Sequence, residues 1–173
     1  MAIWWTAIDR EHCTYEELKH RQVVAQGWRR LGDLSTLRVF LPDMRQEFTT
    51  CVQLIGDASY REQGWWAEHD RAPNRAPTAM WNLLSISDGD LVVALEGITV
   101  RGLCEVQRGA ASSYAHQAAW EYAQTVGFPL KWVDWETQLL GDPPTAPAQS
   151  VLGIKSVQKE EALVRRAWEK ASR

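Results

Sequence analysis

Ten tryptophans in 173 residues constrain this chain more than any other feature. An indole is bulky, and its N–H must find a partner when it is buried. A fold that holds ten of them must place acceptors inside its core or turn some rings toward a ligand. Trp4 and Trp5 fall on an opening apolar run, Ile3 to Ile8, where strand alternation sends one of the two rings inward. Trp81, Trp132 and Trp168 fall on amphipathic faces and read as core. Trp28 differs from these. It follows Gly27, precedes Arg29 and Arg30, and enters a turn in the run Gln26-Gly27-Trp28-Arg29-Arg30-Leu31-Gly32-Asp33-Leu34-Ser35. A flat aromatic beside cationic side chains suits a planar, electron-rich ligand such as a nucleobase.

The pattern of the remaining chain predicts irregularly alternating strands and short helices. Thr14-Tyr15-Glu16-Glu17 has capping-box spacing and starts a helix ending near His20. Val23 to Ala25 is a brief strand leading into Gly27-Trp28. Asp43, after Pro42, is expected to cap a second helix with Phe48, Cys51, Val52 and Ile55 on one face. Residues 56–77 read as a long polar loop in which Tyr60, Trp65, Trp66 and His69 interleave with Arg61, Arg71 and Arg75. Pro77 opens a third helix through Trp81, Leu83 and Leu84. Ser87 to Asp90 is a turn, and Leu91 to Leu95 and Ile98 to Val106 form a hairpin around Glu96-Gly97. Ala115 to Val126 reads as weakly helical, and Leu130 to Trp135 as a strand. A stiff Gly- and Pro-rich connector, 141–150, precedes a last helix within 151–173, with Val157, Val164 and Trp168 docking and Lys155, Lys159, Arg165, Arg166 and Lys170 exposed. The order favours an α+β domain with a mixed, strongly curved sheet over a doubly wound parallel one.

Composition narrows the function classes. Hydrophobic residues make up 45% of the chain, enough for one substantial core without staples. No apolar run approaches the ~20 residues of a membrane span, and no signal-peptide pattern opens the chain. Three widely spaced cysteines indicate neither a disulfide framework nor a metal site, so a cytoplasmic location is expected. His12, His20, His69 and His116 show no metal-ligand spacing and read as surface histidines. A net charge of −3 argues against coating nucleic acid by bulk electrostatics but leaves room for a local basic face around Trp28. No nucleophile elbow, phosphate-cradling loop or His-Glu-x-x-His is present, so no catalytic residue, cofactor or metal is assigned.

Three stretches, taken in order, carry a family resemblance. Gly27-Trp28…Leu31-Gly32-Asp33-Leu34, then Trp81-Asn82-Leu83-Leu84…Gly89-Asp90-Leu91-Val92-Val93-Ala94…Gly102-Leu103-Cys104-Glu105-Val106, then Leu130-Lys131-Trp132-Val133-Asp134-Trp135 resemble the EVE-type domains of the PUA-like superfamily. The resemblance covers most of residues 1–140. It implies a curved, mixed β-barrel flanked by short helices, with the C-terminal helix packed on it. It also implies a relative of the YTH readers, which take a flipped, modified base into an aromatic cage and often accompany restriction systems. In that resemblance Trp28 is a cage aromatic, and the ring facing it matches Tyr114 best, with Trp120 as the other candidate.

The expected function is therefore a non-catalytic reader of a methylated or hydroxymethylated base, in DNA rather than RNA, with any nuclease or ATPase effector on a separate chain. Extruding a base costs a few kcal/mol, and each stacked aromatic returns roughly 1–3 kcal/mol. A methyl filling a leftover gap adds about 0.8 kcal/mol. Asp33, Ser35 or Asn82 could read the base edge, and Arg29, Arg30 and Arg108 the phosphates. Trp65 and Trp66 read either as a loop plug or as a second stacking platform. Two alternatives belong to other classes: a small RNA- or nucleotide-modifying enzyme on the same barrel, and an oligomeric scaffold that buries exposed tryptophans against a partner.

Overall fold

The computed structural model describes residues 1–71, 75–146, 153–157 and 160–173. In chain order its elements are β1 (Ile3–Ile8), α1 (Tyr15–Arg21), β2 (Val24–Gln26), α2 (Arg45–Ser59), α3 (Ala76–Ser85), β3 (Leu91–Glu96), β4 (Thr99–Glu105), α4 (Ala110–Ser113), β5 (Ala115–His116), β6 (Gln124–Val126), β7 (Val133–Asp134), α5 (Thr137–Leu140), β8 (Gly153–Ser156) and α6 (Glu161–Ala171). Two 3-10 segments, Arg29–Leu31 and Ser35–Phe40, and a π-helical turn, Trp66–Asp70, lie between them.

The domain is α+β. Five strands form a mixed sheet in the order β7-β4-β3-β1-β8, with β1 and β3 parallel. A second, antiparallel sheet has the order β2-β6-β5, and among the described residues the strands do not close into one ring. The large sheet is covered on both faces, which explains the unbroken apolar run of β3. Val92 and Ala94 face the core that holds the helices α1, α2 and α3. Leu91, Val93 and Leu95 face a second core closed by Val164 and Ala167 of α6. Trp4 and Trp5 alternate in the same way: Trp5 packs into the second core, while Trp4 leans on the first and donates its indole N–H to Asp90 Oδ2 (2.9 Å).

Several local expectations are met. β1 spans the predicted residues, and Thr14 and Glu17 form the capping box of α1. Others are corrected. Asp43 does not cap α2, whose N-cap is Met44 with no side-chain bond. The 56–77 loop is largely helical, because α2 runs to Ser59, a π-turn follows, and α3 starts at Ala76. Residues 115–126 are a hairpin: Ala115 pairs with Thr125 and His116 with Gln124, since Gln124 to Val126 are drawn into register with β2. Val157 is buried just past β8 rather than on the last helix. The last segment packs on the domain through α6, but it first adds an unforeseen strand, β8, which pairs with β1 through Trp4↔Ser156 to Ala7↔Gly153. Residues 72–74 of the long segment, 147–150 of the connector, and 151–152 and 158–159 with Lys159 lie outside the described residues.

Candidate functional site: an aromatic pocket at the Trp28 turn

Trp28 sits where β2 leaves its sheet, and its backbone is left-handed (φ 58°, ψ 49°). That conformation costs an ordinary residue roughly 1–2 kcal/mol, so other contacts must hold it. The Trp28 carbonyl accepts from Leu31 N–H (3.0 Å) and from Gln124 Nε2 (3.4 Å), which also donates to the Gly32 carbonyl (3.1 Å). Gln124 Oε1 in turn accepts from the Tyr114 hydroxyl (2.6 Å), whose oxygen accepts Leu34 N–H (2.9 Å). Burial pushes the Tyr114 phenol up to about 12, which keeps it protonated as the donor in this chain of bonds. His116 Nε2 meets the Arg29 carbonyl at 3.0 Å, and because a carbonyl only accepts, the proton belongs on Nε2.

The indole side is fixed as firmly. Trp28 donates its N–H to Asp70 Oδ2 (2.9 Å), and Arg75 donates to Asp70 Oδ1 (3.2 Å). Behind them, Trp66 is buried and stacked on Tyr60, with ring centres 5.2 Å apart and an interplanar angle of 19°. Trp66 donates to Asp57 Oδ1 (3.0 Å), which Arg71 also engages, and these two donors hold the Asp57 carboxyl below its ordinary value. Gly56 on α2 makes room for this ring: a Cβ there would lie 1.7 Å from Trp66 Cζ2.

These supports wall a pocket of about 420 Å³, within the roughly 300–1,000 Å³ typical of small-molecule sites. Its aromatic lining is Trp28, Tyr60, Trp65 and Tyr122; its charged lining is Asp9, Asp70, Glu121, Arg29 and Arg75, with His12 and His69 beside them. Trp65 is 41% exposed and meets Tyr60 at 5.0 Å and 58°, forming an open corner. Tyr122 ties the far wall to the end of β1, its hydroxyl accepting Asp9 N–H (2.8 Å). A smaller hollow of about 210 Å³ adjoins it, sharing Arg29, Tyr60, Trp65 and Glu121 and adding Arg30 and Gln63.

Of the residues singled out from sequence, Trp28, Trp65 and Arg29 line the pocket and Arg30 its neighbour. Arg29 is paired with Glu121 (2.8 Å), and the Arg30 guanidinium lies 5.9 Å from the Tyr60 ring centre. Tyr114 is not a wall of either hollow; it braces the Trp28 turn from behind. Trp120 is also outside both, buried under the Arg21 guanidinium at 4.2 Å, and its indole N–H finds no partner among the described residues. Trp66 is a core ring rather than a platform. Asn82 is committed to the Ile154 carbonyl (2.5 Å), fastening α3 to β8. Asp33 caps the next turn through Ser35 N–H (2.8 Å), which lowers its carboxyl pKa, and neither residue lines a hollow. Arg108 bonds the Ser112 carbonyl (3.0 Å) away from both.

Sequence reasoning missed Asp70, Arg75, Tyr122, Asp9 and His12 as pocket residues. The one signal available was that the Trp28 indole needs an acceptor. Asp9, Glu11 and His12 each offer a metal-ligating atom within 4.8 Å of the others, but the hydrogen bonds of their own turn account for the closeness. Comparison with protein-family models, curated proteins and solved structures finds no match to this chain.

Proposed function

We propose that this protein is a non-catalytic reader that binds a modified nucleobase, extruded from DNA, in the pocket walled by Trp28, Tyr60 and Trp65. The observation that supports the reading most is the Trp28 turn. A non-glycine residue is held left-handed by a bracket of half-buried Tyr114 and buried Gln124, and its ring edge is pinned to Asp70 beside a pocket of about 420 Å³. Strained backbone maintained at a pocket wall is a mark of pre-organisation for a ligand. Two or three rings returning roughly 1–3 kcal/mol each are enough to offset base extrusion. Arg30, at the rim of the adjoining hollow, is suited to the strand's phosphate. In this proposal the two sheets are an open form of the PUA-like arrangement, and the cage aromatics opposite Trp28 are Tyr60 and Trp65 rather than Tyr114 and Trp120. Any nuclease or ATPase that acts on the bound site is a separate chain.

The test is titration of intrinsic tryptophan fluorescence with oligonucleotides carrying methylated adenine, methylated cytosine, hydroxymethylated cytosine or glucosylated cytosine, followed by mass analysis. A reader quenches with one modification at least several-fold more tightly than with the unmodified strand and returns it at unchanged mass. One observation favours a second reading: Asp9 Oδ2 lies 3.1 Å from His12 Nδ1 on the pocket wall, an arrangement able to orient a general base. A changed substrate mass would favour that enzyme reading over the first.

A further inference from the structure

We infer that the Trp28 pocket selects a positively charged heterocycle, of the N-alkylated base type, over its neutral isomers. This rests on the reading of the site as a base pocket and names the class of base it takes. The first support is the state of the indole. Trp28 donates its N–H to the Asp70 carboxylate at 2.9 Å, and an anion on the ring edge pushes electron density toward the ring face, where a cation is attracted. Trp65, which is exposed, and the buried Tyr60 that it meets at 5.0 Å and 58° line the same space.

The second support is the charge of the wall. Both guanidiniums are already matched within it, Arg29 by Glu121 at 2.8 Å and Arg75 by Asp70 at 3.2 Å. Asp9 is left over. Its carboxylate accepts Glu11 N–H (3.1 Å) and meets His12 Nδ1, and among the described residues no guanidinium or ammonium pairs with it. Among its carboxylates and guanidiniums the pocket therefore holds one more negative group than positive beside its aromatic lining. A neutral base gains only stacking there. A flat cation gains stacking, cation–π attraction and a partner for Asp9, while the same charge keeps phosphate at the Arg30 rim.

Matched isomers isolate the charge. Short single-stranded oligonucleotides carry either 1-methyladenine, a cation at neutral pH, or its neutral isomer N6-methyladenine, and a second pair carries 3-methylcytosine or 5-methylcytosine. Their backbones are identical, so phosphate contacts cancel. The expected result by fluorescence titration is that the cationic member of each pair binds about tenfold tighter. Asp9→Asn, which keeps the acceptor for Glu11 N–H, should reduce that ratio to about threefold or less. Equal binding of the isomers, or a preference for the neutral ones, overturns the charge selection while leaving the base pocket standing. No binding of any of the four overturns both. A ratio that survives Asp9→Asn removes Asp9 from the proposal, and if that variant fails to fold, the wild-type isomer ratio alone decides.

Discussion

Gly56→Ala should destabilise this protein, although helix propensity argues for the opposite. Gly56 lies inside α2, where replacing glycine by alanine ordinarily gains about 0.5–1 kcal/mol. Here the new methyl would stand 1.7 Å from Trp66 Cζ2, less than half a van der Waals contact, so the ring must move. Trp66 has little room to do so, being buried, stacked on Tyr60 and bonded to Asp57. Overpacking of this kind costs about 1–3 kcal/mol, and outright expulsion of the indole about 3–5 kcal/mol. Set against the propensity gain, overpacking leaves a net loss of up to about 2.5 kcal/mol and expulsion one of about 2–4.5 kcal/mol. For a chain of this size the larger loss is a fall in melting temperature of very roughly 4–18 °C. Thermal and urea melts followed by far-UV circular dichroism would measure it, and tryptophan emission would report Trp66 leaving its stack. Because Tyr60 leans on Trp66 and walls the pocket, ligand affinity should fall as well. A variant that melts at or above wild type would show that the ring is not seated against the glycine and that the wall is built some other way.

Tyr114→Phe removes the hydroxyl between Leu34 N–H and Gln124 Oε1, and the two groups left without it should cost about 1–3 kcal/mol in a urea melt and loosen ligand binding without touching the ligand; an unchanged melt would contradict the bracing role. Asp57 titrates below the ordinary carboxylate range, so the stability it contributes is present above that range and is lost as pH falls through its lowered value. The melting gap between wild type and Asp57→Asn should therefore close on acidification, whereas a gap independent of pH would dissociate Asp57 from the Trp66 latch. Arg30→Ala should weaken binding to all sequences alike and reduce the log–log salt slope by about one; loss confined to one modification would argue against phosphate contact.

The parts of this fold that could be read from sequence are the parts decided locally. The capping box of α1 lies within four residues, and the Leu91–Glu96 strand announces itself as an apolar run because both faces of its sheet are covered. The hairpin β5–β6 could not be read in the same way. Its second strand is fixed by pairing with β2, Gln26 opposite Gln124, almost a hundred residues away, and its own residues look weakly helical. The candidate site divides along the same line. Trp28 stood out by its neighbours in the chain, whereas its acceptor Asp70 is 42 residues distant and is brought in by a π-helical turn that no period in the sequence signals. Tyr114 reads from sequence as a ring facing the ligand and is instead a hydroxyl behind the turn, a distinction that depends on its meeting Gln124 of β6 and the distant Leu34 N–H. Trp65 and Trp66 look alike as neighbours in sequence. Only the groove at Gly56 separates them, sending one inward and leaving the other at the rim.

The most direct measurement is modified-base preference in Trp28→Ala and Trp28→Gly, read by titration against matched modified and unmodified oligonucleotides. Glycine takes the left-handed backbone at no steric cost, so at least one of the two variants should keep a cooperative melt. Both are expected to lose the preference, with overall affinity down by roughly 1–3 kcal/mol. A folded variant that discriminates as well as wild type would mean that the base does not sit against this ring.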